Sequence, residues 1–316
     1  MTVSDEDRRA LDALDARIRA ILPANYQDSY QDVQPVSMGS AGLKYSSDGR
    51  VAWDLMWGSF CDLAMAGGPP HKGSLLEPGL AADIAAQPAR YDEVTREICR
   101  GITMTTNLAA APAADRGWVR VECGSEGLAA WLVRAIVMEN VSARCQGRAL
   151  ELPAAPAFQL HKEIKNVVTV IAKTCHFWSG HMSRAQQQEI GELLSGMSAD
   201  APLIAPAVVA DVSDETTFAS MADSIHQRTG LAVSAQRYAG WLGVECADVR
   251  SAVWMMRALV VNNILSRREG TTLFVPLNAV DDPGGEGVVR CLARIHVLAG
   301  AAGVYRVSND TSNGCP

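Results

Sequence analysis

One stretch of this chain occurs twice. Residues 117–153 read GWVRVECGSEGLAAWLVRAIVMENVSARCQGRALELP, and residues 240–276 read GWLGVECADVRSAVWMMRALVVNNILSRREGTTLFVP. They align without a gap at an offset of 123, with 15 of 37 positions identical. Unrelated segments of ordinary composition share about one position in fifteen to twenty. A repeat this long, copied once, predicts two similar half-domains packed about a pseudo-two-fold axis rather than a solenoid of short units.

Within each copy the pattern reads strand, helix, strand. Trp118 to Cys123 and Trp241 to Cys246 are short β runs. Residues 126–143 and 249–266 are helices apolar nearly all round, which predicts burial. Leu150 to Pro153 and Leu273 to Pro276 are closing strands, and Thr103–Asn107 and Leu231–Ala235 are expected as strands preceding each unit. The expected class is therefore α+β (mixed α/β): two tandem pseudo-symmetric half-domains, each with helices preceding a β(β)αβ unit.

The organisation follows. Residues 1–40 hold an amphipathic helix over 4–22, with Ser4 and Asp7 as a capping box, and a polar connector. Residues 41–153 form the first half and 154–280 the second. Residues 281–316 give a glycine-rich turn, a helix over 287–300, a short strand near 304–307 and a polar tail. Further helices are expected over 50–66, 90–101 and 158–178, and by pattern 156–181 is set beside 41–66.

Composition bounds the function. A net charge of −7 disfavours nucleic acid and anionic membrane surfaces as partners. No apolar run reaches the roughly 20 residues needed to span a bilayer, and the acidic start is unlike a signal peptide. Eight cysteines with no CxxC spacing fit a reducing cytoplasm better than a disulfide scaffold.

The chemistry-bearing residues cluster on helix 158–178. Lys162, Lys165, Thr169, Lys173 and His176 recur three or four apart and so share one face. The face is either a solvent edge or the wall of a cavity. The helix over 50–66 carries a comparable seam, Arg50, Asp54, Gly58 and Cys61. If Cys61 and His176 meet across the axis, an imidazole-activated thiolate follows, assisted by Lys173, with Asp54 beside it; the plainer reading is a core cysteine and a satisfied histidine. His71 and Lys72 in the turn AGGPPHKG are placed to cover a ligand, and Thr169 to contact it.

Cys175, His176 and His181 in CHFWSGH are candidate ligands for zinc or another transition metal, although 175 and 176 diverge by about 100° on a helix. Arg134 and Arg257 occupy matched mid-helix positions. Each needs an anionic partner, either Glu122 and Glu245 of the same repeat or a substrate carboxylate or phosphate. The turn DDPGGEG, ahead of a helix, is positioned to offer backbone N–H groups to an anion.

The expectation is a cytoplasmic enzyme acting on a small molecule between duplicated halves through a Cys/His site. The alternatives are a Cys/His metalloprotein of unknown cofactor, and a non-catalytic ligand-binding or dimerisation protein, the latter a homodimer.

Overall fold

The computed structural model describes residues 4–28, 42–56, 74–207 and 215–304. Helices combine with two small antiparallel sheets, so the class is α+β. Among the described residues, no helix is long and apolar enough to cross a membrane.

The first helix, α1 (Asp5–Ala20), begins where expected. The Ser4 hydroxyl accepts from the Asp7 backbone N–H at 3.0 Å, and three acidic residues complement the first turn. A short turn, α2, covers Ala24–Gln27, and residues 53–56 are helical. Then come α3 (Ala81–Ala86) and α4 (Pro88–Thr106). The strand expected over 103–107 is instead the last turn of α4, which stops at Asn107 with φ 58°. The real first strand, β1 (Ala109–Pro112), follows that cap.

The first sheet has the order β1-β2-β4-β3, with β2 Trp118–Glu122, β3 Arg144–Gln146 and β4 Ala149–Pro153. The second has the order β5-β7-β6, with β5 Trp241–Glu245, β6 Arg267–Glu269 and β7 Thr272–Pro276. Registers correspond across the 123 offset: Trp118 faces Pro153, and Trp241 faces Pro276. In place of β1, the second sheet has the single bridge Val233 to Val244.

The repeated helices are α5 (Glu126–Met138), capped by Ser125, and α9 (Val249–Val260), capped by Asp248. Both are shorter than the apolar pattern suggested. Each ends at an asparagine in the left-handed region, Asn140 at φ 60° and Asn263 at φ 62°. An asparagine tolerates that conformation better than the β-branched residues that follow. The freed carbonyls are put to use: Asn140 accepts from the Leu76 N–H at 2.9 Å, and Asn263 from the Ile204 N–H at 3.0 Å. Upstream, residues 75–79 and 203–207 thus occupy equivalent places at an offset of 128, with Leu75/Leu203 and Pro78/Pro206 identical. Gly79 N–H donates to Ala154 at 3.0 Å and Ala207 N–H to Leu277 at 3.1 Å.

A π-helical turn (Leu160–Ile164) leads into α6 (Lys165–His181), which packs on α4 and α5. In chain order and packing partners its counterpart is α10 (Glu286–Ala301), which follows β7 and packs on α8 (Glu215–Thr229) and α9. The expected correspondence of 156–181 with 41–66 rests in part on residues 57–66, which lie outside the described residues. Besides the short α2 and α3, two longer helices are not expected from the sequence pattern. The first is α7 (Arg184–Asp200), whose buried apolar residues are Ile190 and Leu194; the second is α8, whose apolar face is equally thin.

Close approaches fix the helix packing. A Cβ on Gly101 of α4 would lie 2.6 Å from Val168 of α6, and one on Gly127 of α5 would lie 2.9 Å from the Gly191 backbone of α7. The repeated tryptophans Trp118, Trp131, Trp241 and Trp254 are all buried, as core anchors should be.

Candidate functional site

Cys61, His71 and Lys72 lie outside the described residues, as does the seam at Gly58. Asp54 is described and its side chain is exposed. The stripe on α6 does not form a solvent edge. Lys162 is exposed, but Lys165, Thr169 and Lys173 are buried, and His176 is half-buried. The Thr169 hydroxyl donates back to the Lys165 carbonyl at 2.7 Å. Burial lowers the pKa of Lys165. Lys173 Nζ meets Glu139 Oε1 at 2.7 Å, with both side chains largely withdrawn from water. Its charge is thus held in an ion pair with Glu139.

His176 and His181 do converge, with their Nε2 atoms 3.1 Å apart. Burial, and secondarily His181, lower the pKa of His176. Gly180 allows this, since a Cβ there would lie 3.1 Å from the His176 ring. Cys175 does not join them. Burial pushes its thiol up to about 12, so it is neither a ready thiolate nor a ready ligand at neutral pH. Among the described residues, no group of three His, Cys, Asp or Glu side chains is placed to hold a metal.

The expected pairing of Arg134 with Glu122 does not occur. Glu122 is exposed and bound to Arg120 at 2.6 Å. Arg134, 2% exposed, donates instead to the Ala130 carbonyl and, across the repeats, to Asn263 Oδ1. Burial lowers its pKa to about 10, which leaves it charged at neutral pH. Glu245 likewise accepts from the Thr272 hydroxyl at 3.1 Å, and Arg257 is half-buried. The turn DDPGGEG also keeps its N–H groups to itself, because the Asp282 carboxylate accepts from Gly287 at 2.8 Å and from Val288 at 2.9 Å.

The matched arginines that matter are Arg144 and Arg267. Arg144 lies 4.4 Å over the Trp118 ring and binds Glu151 and Asp115. Arg267, fully buried, sits among Tyr238, Trp241 and Phe274 and binds Glu269 at 2.6 Å and Asn140 at 3.1 Å. Its Nε and Nη2 have no hydrogen-bond partner among the described residues, so the aromatic faces take that side of the cation. Glu269 is a hub: it also accepts from the Leu75 N–H, the Gln236 amide and the Tyr238 hydroxyl.

Tyr238 and Trp241 of this network line a cleft of about 470 Å³ between residues of both repeats. Pro78 and Pro206, Gly79 and Ala207, and Trp118 and Trp241 line it as matched pairs. The polar lining is unmatched: Asp115 stands opposite Tyr238 in the alignment, Arg116 opposite Ala239, Arg237 opposite Ala114, and Glu77 opposite Ala205. Burial raises the pKa of Glu77, against the lowering pull of Arg267. Tyr238 is raised too, by burial first and by Glu269 second. Arg116 and Arg237 stand half-exposed at the mouth, in long ion pairs of 3.5 and 3.6 Å with Asp92 and Glu215. None of these residues except the tryptophans stood out in the sequence. The available signal was their position, in the divergent residues flanking the conserved Gly-Trp pair. No known protein family, curated protein or solved structure matches this chain.

Proposed function

We propose that the chain is a duplicated protein, two half-domains about a pseudo-two-fold axis, that works as a cytoplasmic enzyme on a small anionic molecule held in the cleft between them. The observation that carries this reading is the make-up of the cleft. Its matched residues are small or aromatic and form the walls, whereas every charged residue in it is found in one repeat only. A symmetric ancestor has one pair of equivalent walls; a single asymmetric site arises where the copies diverge. Pockets of this size favour such junctions. Arg116 and Arg237 attract the anion. Glu77, with its raised pKa, holds or releases a proton near the ligand, and Glu269 and Arg267 hold Tyr238 in place on the cleft wall. The Cys61–His176 dyad has no part in this reading.

The test is ligand retention. Purified protein is incubated with a mixture of small carboxylates and phosphates, and bound compounds are read by mass spectrometry. A compound retained by the wild type should be lost in Ala207→Trp, which fills the cleft, and weakened in Arg237→Gln. Equal retention by Ala207→Trp would place binding elsewhere and remove the proposal.

A second reading rests on the histidine pair. Two nitrogens 3.1 Å apart are close to the separation of adjacent ligands on a tetrahedral ion with Zn–N of about 2.0–2.1 Å. Zinc titration of the wild type and of His181→Ala decides it: equal affinity in the two proteins would end this reading.

A further inference from the structure

A second cavity, of about 410 Å³, lies away from the cleft and shares no residue with it. Its walls are α1, α10, residues 201–204 and the turn after α9. Its floor is apolar, with Leu14, Ile264, Ile295 and Leu298 prominent. Three arginines line it: Arg17 from α1, and Arg290 and Arg294 from α10.

The charges are out of balance. The chain carries a net charge of −7, yet it gathers three guanidiniums on one cavity. Arg290 and Arg294 are four apart on one helix, a like-charge arrangement that destabilises an isolated helix. Arg294 binds Asp7 at 2.6 Å. Arg17 and Arg290 form no ion pair among the described residues. Burial pushes the Cys291 thiol on the cavity wall up to about 11, and Arg17 and Arg290 both pull against that rise, which places their charges beside it. At the matched position of the first repeat stands Glu139, which neutralises Lys173; here stands Asn262, whose amide donates to its own helix at Ala258. The acid of the first repeat thus has no counterpart at this cavity.

We infer that this cavity binds a small amphipathic carboxylate, its charged end on Arg17 and Arg290 and its apolar body against the floor. The carboxylate replaces the missing side-chain acid, with geometry suited to guanidinium donors. The apolar floor favours a carboxylate with a chain over a bare inorganic anion.

The experiment uses octanoate as probe, with octan-1-ol and inorganic phosphate as comparators, on the full chain by titration calorimetry. Octanoate should bind, and both comparators should bind at least about tenfold more weakly, since each lacks one half of the recognition. Arg17→Gln/Arg290→Gln should weaken octanoate by about tenfold or more without unfolding the protein, because neither side chain has an ion-pair partner among the described residues to lose. Location is read independently: octanoate should slow alkylation of Cys291 but not of Cys175, followed by peptide mass. Octanol binding as tightly as octanoate, phosphate binding as tightly, unchanged affinity in the double variant, or no protection of Cys291 would each overturn the assignment. So would the absence of octanoate binding. The cleft-filling Ala207→Trp should leave octanoate affinity unchanged, which separates this site from the cleft.

Discussion

The ends of the two repeated helices solve the same packing problem in opposite ways. After α5, Glu139 reaches a lysine of the following helix and forms a buried ion pair. After α9, Asn262 turns back on its own helix, and arginines of the following helix are left around a cavity. Both ends keep the left-handed asparagine and its bond to an upstream strand-like segment. The difference teaches that the backbone turn is common scaffold, whereas the residue just before it decides whether the space beyond is filled or open.

The sharpest way to break this comparison is to break the ion pair. Lys173→Met or Glu139→Gln alone should cost about 3–5 kcal/mol in urea unfolding, because each strands a buried polar or charged partner. The pair Lys173→Met/Glu139→Leu should recover most of that loss. Single variants costing under about 1 kcal/mol would show that the pair is effectively solvated.

The helix contacts give the next largest effect. Gly101 is matched by Ser224 in the second repeat, on α8, which packs on α10. Gly101→Ser should cost about 1–3 kcal/mol by overpacking against Val168. A neutral outcome would mean that the α4–α6 contact accepts a serine as its counterpart does.

A smaller effect should follow from restoring the acid. Asn262→Glu should stabilise the protein by about 0.5 kcal/mol at low salt, and the gain should vanish at high salt. It should also abolish octanoate binding. A loss of stability at low salt would argue against an excess of positive charge in that cavity.

The last prediction concerns Glu77, matched by Ala205. Its folded pKa is raised above the ordinary 4.5, so folding favours the protonated form. The folded state binds more protons than the unfolded state in the window above 4.5. Stability contributed by this group is thus full below that value and declines as pH rises through the raised pKa. Glu77→Gln stays neutral and should abolish that decline, so thermal melts of the variant and wild type should diverge as pH goes from 4 to 7. Parallel curves would show that the carboxyl titrates normally.

Much of the local structure was legible in the residues. The repeat, its strand–helix–strand pattern, the Ser4 cap, the helix over 286–301 and the buried tryptophans all follow from periodicity and capping chemistry, which act over a few neighbours. Helix ends were less legible, because Asn140 and Asn263 stop their helices through contacts with segments about sixty residues away. The candidate site was least legible. Arg134 was paired with Glu122 by proximity in sequence, yet it reaches Asn263 in the other repeat. Lys173 is held by Glu139, a partner 34 residues away that helical spacing does not point to. The sequence by itself determined that one strand–helix–strand pattern occurs twice and which of its apolar side chains are buried, since burial of apolar area depends on local pattern. Only the tertiary structure decided which charges meet, because an ion pair or a cavity depends on where distant segments bring their side chains, and no periodicity encodes that.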